Sequence, residues 1–159
     1  MLDVSVRTAR PGDAEAILDV KRTAIAELAA SAYTREQLRA WAPGEALEEY
    51  RAATTTDAFQ VLVACDDGVV GYGVLNTSGC RIEGLFVHPL RARTGIGTRL
   101  LGLLETSATL TGCRDVSVIS SLNATGFYES REYVRIEDRR REMDDVGLEF
   151  VLLEKRLSQ

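Results

Sequence analysis

A chain of 159 residues has room for one hydrophobic core, and its 45% hydrophobic and 27% charged residues exclude a disordered or fibrous class. The formal net charge of -5 sets the surface on average against phosphate, which disfavours nucleic acid as a partner. A single histidine excludes a multi-histidine metal centre, and three cysteines (Cys65, Cys80, Cys113) without CxxC spacing do not make a zinc site.

In chain order, alternating Val4 and Val6 predict a strand over residues 3–8. Pro11-Gly12-Asp13 is a turn into a helix with Asp13 as N-cap, and Ile17, Val20, Ala24 and Leu28 fall on its core face. A second helix is expected over 34–41, capped by Thr34, broken by Pro43-Gly44 and followed by another turn or two between Glu45 and Ala53. Phe59 to Cys65 and Val69 to Asn76 read as strands joined by Asp66-Asp67-Gly68, and Thr77-Ser78-Gly79 turns the chain into a third strand, Cys80 to Val87. Cys65 and Cys80 are expected to be buried free thiols in these apolar strands.

After His88-Pro89 the period changes to that of a helix, with Ile96, Leu100, Leu103, Leu104 and Ala108 on one face and Gly112 at its end. Val116 to Ser120 is a buried strand, parallel to the preceding one because a helix connects them. A helix over 124–130 and strands over 133–139 and 148–155 complete one α/β domain spanning 1–159. Arg139-Arg140-Arg141, ringed by acidic residues, reads as a solvated loop or strand end. Met1-Leu2-Asp3-Val4 shows no basic-then-apolar signal pattern and no run is apolar enough to span a bilayer, so no membrane partner and a reducing cytoplasmic location are expected.

Thr94-Gly95-Ile96-Gly97-Thr98 lies where a strand gives way to a helix. Unpaired N–H groups and the positive end of the macrodipole favour an anion there, and glycines let a pyrophosphate approach the backbone. Thr98 adds a hydroxyl, and Arg91 and Arg93 add charge. By itself this loop reads equally well as turn chemistry. No lysine completes a Walker A spacing, and Leu100 stands where a dinucleotide GxGxxG motif needs its third glycine.

Ile82-Glu83-Gly84-Leu85-Phe86-Val87-His88-Pro89, followed by Thr94-Gly95-Ile96-Gly97, resembles the cofactor motif of the GNAT superfamily of acetyl-CoA-dependent N-acetyltransferases, a strand ending in V-x-P and then [QR]-x-x-G-x-[GA]. The [QR] position falls on Ala92, between two arginines. Ser121 to Tyr133 resembles the family's later A-x-x-F-Y-E…G-F segment through Ala124, Phe127, Tyr128 and Glu129, with Glu132 in place of glycine and Tyr133 in place of phenylalanine. Ser121 stands at a common asparagine position, with Asn123 nearby. Tyr33, Gln37 and Trp41 resemble one bacterial and archaeal branch of uncertain acceptor.

The resemblance implies a three-layer α/β/α domain whose mixed, mostly antiparallel sheet splays between the fourth and fifth strands. It implies acetyl-CoA held by Phe86, Val87, Ala92, Arg93, Thr94, Gly95, Ile96, Gly97, Thr98, Ser121 and Asn123. Tyr128 is then the candidate general acid and Glu83 the candidate base, though Tyr128 also reads as helix packing and Glu83 as an acceptor-binding anion or an arginine's partner. Tyr33 and Trp41 are candidate substrate-binding residues, and core packing explains them equally well. His88 is expected to make a loop or surface contact. The expected reaction is acetyl transfer to a primary amine of a small molecule, peptide or protein. The alternative is a catalytically weak acyl-CoA-binding regulatory domain, kept open by Ala92, Ser121 and Glu132. The final strands could extend a sheet across a homodimer.

Overall fold

The computed structural model describes residues 3–41 and 47–158, so Pro43, Gly44 and the start of the third helical segment lie outside the described residues. Strand β1 (Ser5–Thr8) leads to helices α1 (Ala14–Leu28), α2 (Arg35–Trp41) and α3 (Leu47–Ala53). Strands β2 (Phe59–Cys65), β3 (Val69–Asn76) and β4 (Arg81–Val87) follow, then α4 (Ile96–Leu110), β5 (Asp115–Ser121), α5 (Thr125–Glu129), β6 (Val134–Met143) and β7 (Val146–Arg156). The sheet runs β1-β2-β3-β4-β5-β7-β6, antiparallel throughout except for the parallel β4–β5 pair. Helix α4 forces that exception, because a strand returning through a helix enters the sheet in the same direction.

Helices cover both faces. Leu100, Leu101 and Leu104 of α4 pack with Tyr128 of α5, Leu75, Val116 and Leu153 on one side. Ile17 and Val20 of α1 pack with Val63 and Tyr72 on the other, beside a cluster of Tyr33, Ala40, Leu148 and Phe150. The expected helix face needs one correction: Leu101 is buried and Leu103 is 39% exposed, because α4 also leans on the β5–β7 side of the sheet. Two glycines set the close seat of α4 on β3. A Cβ on Gly71 would lie 3.1 Å from Ile96 Cγ2, and one on Gly73 would lie 2.7 Å from Leu104 Cδ1.

The β2–β3 turn forms where Asp66-Asp67-Gly68 predicts it, with φ of 55° at Asp67 and 123° at Gly68. Strands β6 and β7 are longer than expected because Asp144 and Asp145, at φ of 50° and 63°, close a two-residue turn between Met143 and Val146. Asp-Asp is a weaker hairpin signal than Asn-Gly, which hid it in the sequence. Glu132 adopts φ of 73°, the left-handed conformation that the glycine of the related motif would take without strain. Thr34 and Gln37 form a reciprocal capping box at the start of α2.

The cysteine expectation is corrected. Cys80 and Cys113 form a disulfide across 33 residues of sequence, leaving Cys65 free and half-buried. Nothing in their spacing signals the bond. It arises because Cys80 precedes β4, Cys113 precedes β5, and those strands start side by side.

Asp13 precedes α1 without making a side-chain cap bond to it. Its carboxylate instead accepts from the Arg7 guanidinium at 2.7 and 2.9 Å and from the Arg10 N–H at 2.8 Å, tying β1 to the helix start. The Arg7 hydrogen bonds foremost, opposed by partial burial, hold this carboxyl at about 2 rather than 3.8. A depressed carboxyl contributes stability above its unfolded value and loses it as pH falls through the folded value. Asp13→Asn should therefore lower the thermal midpoint at neutral pH, with the difference from wild type vanishing between about pH 4 and about pH 2 in melts across that range.

Candidate functional site

The site begins with a fault in β4. Val74 pairs with Gly84 while Leu75 pairs with Ile82, so Glu83 is an extra residue with no partner on β3. Such a bulge turns the strand and shifts its side-chain alternation by one. Accordingly Ile82, Leu85 and Val87 all pack on the α4 face, whereas Phe86 stacks on Tyr72 on the α1 face. Pairing with β5 stops at the same point: only Arg81↔Ser117 and Ile82↔Val118 register. Beyond it the strands diverge, and the β5-facing edge of residues 83–87 has no strand partner among the described residues.

Two cavities open into this gap. One, about 220 Å³, lies toward α1 and α2 and is lined by Lys21, Trp41, Glu83, Phe86, Arg141 and Phe150 among others. The other, about 570 Å³, lies at the start of α4 and is lined by Arg91, Arg93, Gly95, Gly97, Thr98 and Arg131 among others. Tyr128, Asn123, Val87 and Leu85 line both, so the two cavities meet at the mouth of the splay.

The second cavity has the chemistry of an anion site. After a short turn over Pro89–Arg91, Arg93 and Gly95 take positive φ of 64° and 91°, and α4 starts with no side-chain cap. Its first N–H groups are therefore left for another acceptor. The Thr98 hydroxyl accepts from the Arg131 guanidinium, which keeps its own proton free to donate. Arg131 lies over the Phe127 ring at 4.2 Å, and its Nε is buried without a partner. An unpaired buried guanidinium nitrogen beside an uncapped helix start fits the pyrophosphate of a nucleotide cofactor. Arg91 is already paired with Asp66 at 2.5 Å, whereas Arg93 and Arg131 make no ion pair among the described residues, although Arg131 Nη1 donates to Ser130 Oγ at 2.6 Å and Phe127 O at 3.2 Å.

The sequence-selected residues divide by position. Ala92, Arg93, Gly95, Gly97 and Thr98 line the anion cavity. Ile96 points into the core and anchors α4, while the Thr94 hydroxyl donates to Arg91 O at 2.6 Å and fixes the loop. Phe86 and Ser121 line the smaller cavity, and Val87 and Asn123 line both. Glu83 and Trp41 line the smaller cavity, with Trp41 edge-on to Phe150 at 5.4 Å. Tyr33 lies behind Trp41: its hydroxyl donates to Glu149 O at 2.5 Å and accepts from Leu122 N–H at 3.0 Å. It ties the loop after α1 to β7 and to the start of α5 and does not line either of the meeting cavities. The His88 imidazole Nδ1 accepts from Leu90 N–H at 3.1 Å, a loop contact as expected.

Tyr128 is buried against Phe127 and Tyr133, and its hydroxyl has no hydrogen-bond partner among the described residues. Burial pushes its phenol well above the ordinary value of 10.0. Sequence reasoning missed Arg131, Lys21 and Arg141. Arg131 follows Tyr128 by one turn, which is a signal of sorts, but Lys21 and Arg141 reach the cavity only through packing. The arginine run lies near the end of the exposed strand β6, as expected, and β6 also carries Arg141 to the rim of the smaller cavity. Leu28, expected in the core, is 37% exposed and lines both cavities.

Residues 29–157 match the family described as Acetyltransferase (GNAT) domain. No curated protein matches the chain in sequence. Among solved structures, a GCN5-related N-acetyltransferase from Rhodopseudomonas palustris superposes with a TM-score of 0.88 at 29% identity, covering 99% of this chain and 98% of that one. PaiA N-acetyltransferase from Thermoplasma acidophilum, in complex with coenzyme A, gives 0.76 at 18% identity over 98% and 99% of the two chains. YncA from Salmonella typhimurium, with its cofactor acetyl-CoA, gives 0.67 at 20% over 99% and 96%. With a splayed β4–β5 pair, an uncapped helix start at the anion cavity and a family match over most of its length, the chain belongs to the GNAT family and is an acetyltransferase that uses acetyl-CoA.

Proposed function

We propose that the protein transfers the acetyl group to the primary amine of a small molecule, peptide or protein, by direct attack in a ternary complex. The observation that carries this reading is Tyr128, whose side chain lines the cofactor cavity and the smaller cavity at once. Two ligands held in those cavities would meet at one phenol.

Acetyl-CoA, when bound, supplies an acyl group already activated as a thioester. The main-chain N–H groups at Gly95, Gly97 and Thr98 would hold the pyrophosphate, helped by Arg93 and Arg131, all of which line the second cavity. The free edge of β4 at Leu85 and Val87 would offer main-chain groups to the pantetheine arm in the manner of an added strand, with Ser121 and Asn123 lining the same gap. The main-chain groups of Phe86 face β3 instead, because the ladder that bonds His88 N–H to Val70 O alternates along the strand. The Val87 N–H, on that free edge, would polarise the acyl carbonyl.

Glu83 accepts the proton of the incoming ammonium, directly or through water. An alkylammonium has a reference pKa of ~10.4, so deprotonation must be supplied by the site. As the unpaired residue of the bulge, Glu83 reaches the smaller cavity, where the amine would enter past Trp41. Tyr128 Oη keeps its proton at neutral pH because burial raises its pKa, and it releases that proton to the leaving sulfur. Tyr33 acts behind the site, fixing Trp41 and the strand beneath it.

Three substitutions test this. Tyr128→Phe should lower kcat by about 100-fold or more while leaving CoA affinity within about twofold in calorimetry. Unchanged turnover would remove the phenol from the reaction. Gly95→Glu should abolish acetyl-CoA binding, since it places a carboxylate at the anion site in a left-handed conformation. Arg131→Ala should weaken binding by roughly tenfold or more, the ordinary value of a hydrogen bond to a charged group.

A further inference from the structure

The chain is acidic overall, yet two cations enter the smaller cavity. Lys21 comes from α1 and Arg141 from β6, and both line the space that Glu83 lines from β4. The neighbours of Arg141 are spoken for: Arg139 pairs with Glu137 at 2.7 Å, and Arg140 with Glu142 at 3.1 Å and Glu149 at 4.0 Å. Neither Lys21 nor Arg141 makes an ion pair among the described residues. Lys21 is half-buried, with its Nζ over the Tyr50 ring at 5.9 Å from the centroid.

Burial foremost lowers the Lys21 pKa, Glu49 opposes this, and Arg141 lowers it further. Lys21, half-buried, and Arg141, exposed at the rim, therefore repel each other until an anion enters between them. Glu83 gives the same cavity one negative wall. A cavity of about 220 Å³ lined by two cations and a carboxylate is complementary to a small zwitterion. A peptide backbone or a polyamine would leave both cations uncompensated.

Resting on the amine-acetylation reading above, we infer that the acceptor is a small amino carboxylic acid, its carboxylate bound between Lys21 and Arg141 and its amine directed to Glu83. The negative net charge of the protein, which by itself suits cationic amines, is overridden locally.

Calorimetry in the presence of CoA tests this with N-acetylglycine, N-acetylalanine, N-acetylmethionine and N-acetylglutamate, each against its carboxamide. At least one acid should bind roughly tenfold or more tightly than its amide. Lys21→Gln and Arg141→Gln should each erase that preference while CoA still binds. Arg141 sits on an exposed strand, so its variant separates loss of charge from loss of fold. Equal binding of acid and amide in every pair, no binding of any at millimolar ligand, or a preference that survives both substitutions would overturn the inference. Turnover of the free amino acids with acetyl-CoA is read separately. Acid-selective binding without acetyl transfer would sink the amine-acetylation reading and keep the anion site. Transfer to amines with no acid preference would do the reverse.

Discussion

The organisation of this protein depends on one extra residue in one strand. With Glu83 unpaired, β4 bends out of register with β3 and its side chains change face. The bend separates β4 from β5 after two paired residues. An uninterrupted ladder would bury the main-chain groups of residues 83–87 in sheet hydrogen bonds and leave no gap. A gap in a sheet is normally costly, because buried N–H and C=O groups need partners. It persists here because its closed end is held twice, by the Arg81 and Ile82 pairs and by the Cys80–Cys113 bond just before them. The open end is free to accept a ligand that supplies the missing hydrogen bonds.

Around that gap, packing fixes what hydrogen bonding leaves free. The start of α4 is pinned by Ile96, which is 1% exposed, and by the two glycines on β3 that admit the helix close to the sheet. A helix so anchored cannot rotate its uncapped N–H groups away from the cavity. The short α5 is held by Phe127, Tyr128 and Tyr133, with the Tyr133 hydroxyl donating to Glu105 at 2.7 Å and Lys155 completing the group. This aromatic cluster presents Tyr128 to both cavities. Residues far apart in sequence thereby surround one point without any of them lying on a flexible arm.

Charge follows the same division. Most ion pairs lie on the surface, where solvent and salt make them weak contributors to stability. The Lys155–Glu105 pair is half-buried, whereas the cations lining the cavities, Arg93 and Arg131 at the helix start and Lys21 and Arg141 beside Glu83, make no ion pair among the described residues. Cations without an ion-pair partner at a cavity wall leave it electrostatically complementary to an anion.

Local chemistry made much of this legible in the sequence. Period-two and helical patterns located β2, β3, β4, α1 and α4, turn residues located the β2–β3 hairpin, and the glycines at 95 and 97 located the anion loop. The motif around Phe127 and Tyr128 singled out the phenol that stands at the junction. These features depend on neighbours within a few positions, which is all that spacing can encode. Other features were decided by tertiary structure alone: the Cys80–Cys113 bond, the place of Tyr33 behind Trp41, the Asp144-Asp145 hairpin, and the convergence of Lys21, Arg141 and Arg131 on the cavities. Each joins side chains brought together only when sheet order and helix faces are set. A lysine in a helix or an arginine in a charged run looks the same from its neighbours whether it meets water or a cavity, and only packing across the sheet distinguishes them.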